Sequence, residues 1–464
     1  MRNILLINPP GLSLGYNVGL CYLTANLKTH GFEVKIIDFL NQPGDEEKRL
    51  LQAKDYDIVG ISIKTLGLAK AVEIMKKVKT INPRATLIAG GVHVSLDEYN
   101  FMKDNPLFDV SFMNDAEQSL LEFIQGKSMK NIEGAVYRSG NNIRINPRRK
   151  TAINLDELPY PDFDSFDIPL KKIGNYPLLT SRGCPYNCIY CTVQLVNKKW
   201  VPRTVDNLIK ELKTVRHRIR EFQIVDDNFT LNINRVKEFC RRLIAEKTNL
   251  RWSCPNGIRA DIMDEELVKL MKKSGCYLVN LGIESLDENV FNRIKKGEKI
   301  EDIIRAILML KKEGIIVIGN FIIGLPGSTF KIDMGSVKKA RRLGLDVALW
   351  YPLSVYPKTA VYEEYIRDKN IRFITDWKEG FQYNFTNRLK LSFEKGDYTK
   401  EAMIKMFFLA NLKSRSYGIL LDPKKPLWRR GLDLLGIILR YDPFLLPYHM
   451  WSAFNILLRF RKVY

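Results

Sequence analysis

Short apolar runs recur along residues 1–135, at Asn3–Ile7, Val34–Ile37, Ile58–Ile63, Thr86–Ala89 and Asp109–Met113. Between them lie segments with apolar positions at helical spacing, such as Gly19–Thr29 and Ala69–Lys79. Strands alternating with helices predict a parallel α/β sheet, in which ligands bind beyond the carboxyl ends of the strands. The turn signals fall at those ends: Asn8-Pro9-Pro10-Gly11 after the first run and Gly90-Gly91 after the fourth.

Past residue 131 the pattern changes. Ile132–Arg138 and Asn142–Asn146 flank Ser139-Gly140-Asn141 as a hairpin, and the Pro- and acid-rich Asn154–Asp162 reads as a linker. From Pro177 the alternation resumes. Strands are predicted at Leu178–Ser181, Glu221–Val225, Arg251–Cys254, Tyr277–Gly282, Ile316–Ile323 and Val347–Leu353, and helices at Val205–Arg220, Ile233–Lys247, Asp264–Lys273, Glu301–Glu313 and Thr329–Leu343. Such βα units predict a partial (β/α)6 barrel with its chemistry at the strand C-termini.

The last stretch is different again. Met403–Leu412 is an apolar helix candidate, and Trp428–Arg440 and Pro443–Phe460 mix Leu, Ile and aromatics with Arg. Pro443–Leu458 is uncharged but falls short of the ~20 residues a spanning helix needs. Two readings fit this stretch: a helical lid on the barrel, or an interfacial amphipathic element that touches a membrane. The expected organisation is α/β throughout: a doubly wound, Rossmann-like domain over 1–135, hairpin and linker over 136–172, the barrel over 173–390, and a helical C-terminal extension over 391–464.

Composition narrows this little. Of 464 residues, 45% are hydrophobic and 27% charged, which fits a globular chain with a sizeable core. The opening residues show no secretory pattern. Seven cysteines, an odd number with three clustered, argue against a disulfide framework and for a reducing, cytoplasmic setting. The net charge of +21 fits an anionic membrane, nucleic acid, an acidic partner or simply a Lys-rich proteome. The basic residues are spread out and form no nucleic-acid tract, so nucleic acid is not the expected partner.

The cluster is the sharpest chemical signal. Residues 181–191 read S-R-G-C-P-Y-N-C-I-Y-C and place Cys184, Cys188 and Cys191 on one loop after a strand. Structural zinc wants four protein ligands, and the nearest other candidates, His217 and Cys240, sit in no paired motif. An iron–sulfur cube held at three corners leaves its fourth iron for another ligand. Cys254 and Cys276, near predicted strands, are read as buried structural thiols, with a hydrogen donor or thiolate in the site as the sharper alternative.

Cys184-x3-Cys188-x2-Cys191, with Tyr190 before the last cysteine, resembles the signature of radical S-adenosylmethionine (SAM) enzymes. That resemblance implies a [4Fe-4S] cluster on the three cysteines, SAM on its open iron, and reductive cleavage of SAM to a 5′-deoxyadenosyl radical. It also implies an electron donor such as flavodoxin or ferredoxin. Further motifs follow in the family's order: Trp200–Val205, Phe222–Phe229, Arg259-Ala260-Asp261, Gly282-Ile283-Glu284-Ser285 and Gly319–Gly327, with Pro357-Lys358-Thr359 where relatives show Pro-Gly-Thr. They imply SAM contacts from Tyr190, Asp226, Asp227, Arg259, Glu284, Ser285 and Gly324.

The first domain resembles the cobalamin-binding domain that precedes such barrels. The resemblance implies cobalamin held by Pro9, Pro10, Gly11, Ser62, Gly90, Gly91, His93 and Glu117. The Asp-x-His-x-x-Gly motif that supplies a cobalt ligand is absent, as it is from most radical SAM relatives, and the resemblance implies cobalamin bound base-off with no His on cobalt. Asn114-Asp115-Ala116-Glu117 stands where relatives show Gly-Glu-Gly-Glu. The resemblance implies a cobalamin-dependent methyltransferase acting on an unactivated carbon, and the greasy C-terminus suggests a hydrophobic small molecule. Alternatives are a non-methylating cyclase or oxidoreductase on a tetrapyrrole or lipid, a non-catalytic corrinoid carrier, and an RNA methylthiotransferase. The last would need a second cluster, yet the first domain holds only Cys21.

Overall fold

The computed structural model describes residues 3–11, 15–42, 44–150, 152–166, 175–376, 383–384, 388–421, 425–450 and 452–453. The first sheet contains β1 (Ile4–Asn8), β2 (Val34–Asp38), β3 (Ile58–Ser62), β4 (Thr86–Gly90), β5 (Val110–Phe112), β6 (Ala135–Ser139) and β7 (Asn142–Ile145), in the order β2-β1-β3-β4-β5-β6-β7. The first five strands of that order run parallel, and Ile4 stands opposite both Val34 and Ile58. Strand alternation splits their side chains between two cores. Leu5 and Ile7 pack with Ile74 and Met75 of α2 (Leu68–Ile81). Ile4 and Leu6 pack with Leu20 of α1 (Val18–Thr29) and Leu120 of α3 (Glu117–Ile124), in a core continuous with that of the barrel.

One boundary moves. The hairpin expected to open the linker belongs to the first sheet, where β6 pairs antiparallel with β5 and β7 with β6. β5 is three residues long, and its outer edge would otherwise offer unpaired backbone groups. The linker after it is anchored by rings: Phe163 meets Tyr16 at 4.8 Å and Tyr176 at 4.9 Å between centroids.

The second sheet holds β8 (Asn175–Leu178), β11 (Glu221–Ile224), β12 (Arg251–Ile258), β13 (Cys276–Glu284), β14 (Ile316–Ile323) and β15 (Val347–Pro352), all parallel and in chain order. Between β8 and β11, the short β9 (Ser181–Arg182) and β10 (Val201–Pro202) pair with one another. Helices α4 (Val205–Val215), α5 (Ile233–Ala245), α6 (Glu265–Lys273), α7 (Ile300–Lys312) and α8 (Phe330–Arg342) alternate with the main strands. Thr204, Asn232, Asp264 and Thr329 cap α4, α5, α6 and α8 by accepting from backbone N–H groups in the first turn.

The sheet does not close, because β8 and β15 are unpaired with each other. The C-terminal region covers the β15 edge. In α9 (Lys400–Lys413), the Asn411 amide accepts from Trp350 N–H at 3.2 Å and donates to Trp350 C=O at 3.1 Å, completing the strand as a neighbour would. α10 (Leu427–Tyr441) packs on α9 through Leu434 and Ile438. Of the predicted segment Pro443–Phe460, residues 451 and 454–460 lie outside the described residues. Among the described residues no helix is long and apolar enough to cross a membrane.

Candidate functional site

The cysteine loop leaves β9 through Gly183, whose φ of +82° suits glycine. A Cβ there would lie 2.3 Å from Lys199 O and 2.6 Å from Asn197 O, so the loop can enter only this way. Backbone and side-chain donors then fix it. Gly183 N–H donates to Asp227 at 2.9 Å, Cys184 N–H to Asn197 O at 3.1 Å, and Ile189 N–H to Ile294 O at 3.1 Å. The Gln194 amide donates to Cys188 O at 3.2 Å, and Asn228 Nδ2 lies 3.6 Å from Cys184 Sγ. All three thiols are free and partly accessible. Burial pushes the Cys191 thiol up to about 12 and raises Cys188 as well, so a metal centre held by these two thiols would have to displace their protons. Among the described residues no three His, Cys, Asp or Glu converge on one point.

Tyr190 projects from the loop into a cleft of about 440 Å³ at the strand C-termini, lined also by Asn256, Glu284, Asn320, Tyr351 and Tyr356. Glu284 ends β13 at a bulge and has φ of +64°, a region non-glycine residues seldom occupy. The turn folds its carboxylate back over Gly282, where a Cβ would lie 2.6 Å from Glu284 Oε1. Buried Lys296 sits between Glu284 at 3.5 Å and Glu298 at 2.9 Å and also donates to Gly282 O. Burial opposes the ammonium, but the two carboxylates outweigh it and hold its pKa above the ordinary lysine value. Burial, with the Glu284 charge and a hydrogen bond to it, raises the Tyr190 phenol far above its usual range.

The other residues expected at SAM are not brought to this cleft. Asp226 is buried and accepts from Thr180 N–H at 2.6 Å, Thr180 Oγ1 at 2.5 Å and Ser181 Oγ at 2.6 Å. It ties the end of β8 to the end of β11. Arg259 donates to Lys296 O at 2.6 Å, Gly297 O at 3.0 Å and both Asp261 oxygens, and its guanidinium stacks 3.6 Å from the Tyr186 ring centre. Ser285 is buried against Ser336 and caps Asp287 N–H. Gly324 N–H donates to Asp333, its carbonyl accepts from Tyr365, and Met403 and Phe393 cover it. Asp227 instead opens onto a second cleft.

That second cleft, about 360 Å³ and half enclosed, lies between the first domain and the barrel. Ser62, Gly90, Gly91 and Glu117, all expected at cobalamin, line it, and so do Leu179, Val225 and Asp227 from the barrel. Arg182, one residue before Gly183, bridges the domains at 2.6 Å to Glu117 and 3.2 Å to Asp115, and stacks on Tyr22. Asn197 donates to Asp115 at 3.3 Å. The sequence reading missed Arg182, Asp115 and Asn197. Arg182 stood in the quoted cysteine stretch, but nothing in a linear pattern shows that its partner lies 65 positions away.

Three of the expected cobalamin residues, Pro9, Pro10 and Gly11, do not line this cleft, and the loop they begin continues outside the described residues at 12–14. His93 needs correction. It is buried, lies 3.3 Å from Thr65 Oγ1 through Nδ1 and edge-on to Phe101, and faces a separate hollow beside α2. It points away because it falls in the helix Val92–Leu96, on the side that packs under the sheet.

The residues present fit both implied groups. The floor of the second cleft is backbone and small side chains at Gly60, Ser62, Gly90 and Gly91. Asn114 Oδ1 and Glu117 Oε2 are buried there with no hydrogen-bond partner. Orphaned acceptors beside a flat floor suit a macrocycle that carries amide donors. On the barrel side, three free thiols on one braced loop suit an iron–sulfur cube.

Comparisons agree with this geometry. Residues 178–333 match the model of the radical SAM superfamily, and residues 11–124 match that of the B12 binding domain. The chain is 31% identical over 399 residues to an uncharacterized methyltransferase of Pyrococcus horikoshii, covering 82% of this chain and 86% of that protein. It is 25% identical over 364 residues to the anaerobic magnesium-protoporphyrin IX monomethyl ester cyclase of Rubrivivax gelatinosus, covering 74% of this chain and 65% of that protein. The fold superposes with a TM-score of 0.73 on the radical SAM methyltransferase TsrM from Kitasatospora setae, solved with cobalamin and a [4Fe-4S] cluster; identity is 16%, and 91% of this chain and 90% of that one are covered. A two-domain radical SAM architecture is therefore what the fold and the site define. The chain belongs to the radical SAM superfamily, among the enzymes that carry a B12-binding domain ahead of the barrel.

Proposed function

We propose that this enzyme is a cobalamin-dependent radical SAM methyltransferase that C-methylates an unactivated carbon of a small, hydrophobic substrate. One observation carries the reading: the cysteine loop stands between the two clefts, sending Tyr190 into one while its entry residues Arg182 and Gly183 border the other through Glu117 and Asp227. In this reading Cys184, Cys188 and Cys191 hold a [4Fe-4S] cluster and SAM occupies the barrel cleft. There the Glu284 carboxylate accepts from the SAM ammonium or ribose, and Tyr190 packs beside it. Ser62, Gly90, Gly91 and Glu117 border base-off cobalamin, and a flavodoxin or ferredoxin supplies electrons. When bound, the cluster supplies the electron that splits SAM, and the corrin supplies a methyl carrier. The chain's own part is to hold the loop, orient the carboxylate and keep the two groups on either side of that loop. Phe321, Ile322 and Leu353, with the rings of Tyr351 and Tyr356, give the barrel cleft an apolar wall beside the polar Asn256, Glu284 and Asn320, which supports a hydrophobic substrate oriented by a few polar contacts.

Likeness to the ester cyclase supports a second reading, ring closure or oxidation without methyl transfer. The test is anaerobic reconstitution with iron, sulfide and hydroxocobalamin, followed by desalting, metal counts and a screen with methyl-labelled SAM. About four irons and about one cobalt per chain, with label moving to product, support the methyltransferase. Both metals with 5′-deoxyadenosine but no label in product support the cyclase reading. Cluster without cobalt removes cobalamin from the proposal.

A further inference from the structure

α10 is apolar on two faces. Leu434 and Ile438 are buried toward α9, and Tyr441 stacks on Phe408 with 4.3 Å between ring centres. At about 100° per residue, Trp428, Leu432, Leu435 and Leu439 fall on a second face, about 120° round the helix, within an arc of about 60°. Trp428 is 62% exposed, Leu432 61% and Leu439 51%, and beyond the helix Phe444 is 94% exposed. A row of large apolar side chains left in water marks a contact surface.

The charges beside the row indicate what covers it. Arg429 and Arg440, eleven positions apart, share one line along its flank. Among the described residues neither guanidinium has an acidic partner: Arg429 lies 5.1 Å over Trp428 and Arg440 5.4 Å over Tyr441. Asp433, the acid on this helix, is neutralised by Lys425 at 2.8 Å. A second copy packed symmetrically here would bring unpaired guanidiniums together inside a chain already at +21. An anionic lipid surface meets every feature: acyl boundary for the leucines, interface for the tryptophan, phosphates for the arginines. No described helix is long enough to span a bilayer, so the contact lies in the plane of the surface.

We propose that this face docks the enzyme on an anionic bilayer, with α10 lying in the interface. The proposal stands apart from the methyltransferase reading, because lipid binding is measured without turnover. The test floats the full chain with phosphatidylcholine vesicles, alone or with about a third phosphatidylglycerol. Compared with it are Leu432→Glu/Leu439→Glu, Arg429→Gln/Arg440→Gln, and Trp428→Ala as a milder variant should the first fail to fold. The wild type is expected to float with the anionic vesicles and poorly with the neutral ones. The leucine pair should lose about ten-fold or more in partitioning. The arginine pair should lose roughly five-fold per guanidinium, less at high salt. Absence of flotation, equal flotation with both vesicle types, or unchanged flotation of the folded leucine or Trp428→Ala variant would overturn the proposal. So would light scattering showing a dimer that Leu432→Glu/Leu439→Glu separates, which would assign the face to a second copy.

Discussion

The two clefts are built on opposite plans. In the barrel, the polar residues of the sequence motifs mostly face inward and hold the scaffold: Asp226, Arg259 and Ser285 all spend their hydrogen bonds on protein partners. Tyr190 and Glu284 alone among the expected SAM residues line that cleft. In the first domain the order reverses. Small residues make a floor, while Asn114 Oδ1 and Glu117 Oε2 stay buried without protein partners. A motif residue can therefore mark a family by bracing the scaffold around a cleft that its own side chain does not line.

The largest effect expected from this contrast falls on the loop itself. Replacing Cys184, Cys188 or Cys191 with Ala should drop reconstituted iron from about four per chain to near zero, with cobalt retention unchanged. Joint loss of iron and cobalt would show that the two clefts do not form independently. Next comes Asp226→Ala, which strands the Thr180 N–H and two hydroxyls in the interior and should cost about 3 kcal/mol in denaturant unfolding. If Asp226→Ala kept its stability and lost SAM affinity, the scaffold role given to this acid would be wrong.

A third test concerns Asp333, buried beneath the C-terminal cover and bonded by Gly324 N–H at 3.1 Å and Tyr398 Oη at 3.0 Å. Burial raises its pKa from 3.8 to about 6 against the pull of those donors and of Lys395. The folded state thus holds a proton that the unfolded chain has lost. Stability from this group is full below pH 3.8 and falls by about 1.4 kcal/mol per unit as pH rises to about 6. Asp333→Asn should remove that slope in unfolding curves taken across the window, and an unchanged slope would place the titration elsewhere.

How much of this was legible in the sequence follows from the range of each signal. Strand and helix periodicity is local, so Ile316–Ile323 was placed to the residue and β13 only short of its bulged end, with Glu284 left outside the predicted strand. The cysteine spacing is local too, and it identified the loop. Long-range partners were not legible. Nothing near Arg182 announces Glu117, and nothing near Met403–Leu412 announces that Asn411 will complete the β15 edge. The hairpin itself is legible, but its place in the first sheet is not, because pairing with β5 depends on a strand edge that no linear pattern displays. Motif position does not reveal which way a side chain turns, so the protein partners of Asp226 and Arg259 are not legible from it.

The smallest expected effect tests the first domain's side of the contrast. Family likeness implies a cobalamin contact for His93, yet it lies near Thr65 and Phe101 and does not line the cleft. Gln can keep a hydrogen bond to the Thr65 hydroxyl, so His93→Gln should cost about 1 kcal/mol or less in stability. Cobalt retained after reconstitution should equal that of the wild type. Glu117→Gln is the matched control, since it removes the charge facing Arg182 and converts an orphaned acceptor at the cleft wall into an amide. It should lower cobalt retention where His93→Gln does not. The reverse outcome would mean that the corrin sits against the hollow beside α2, and the cleft between the domains would lose its assignment.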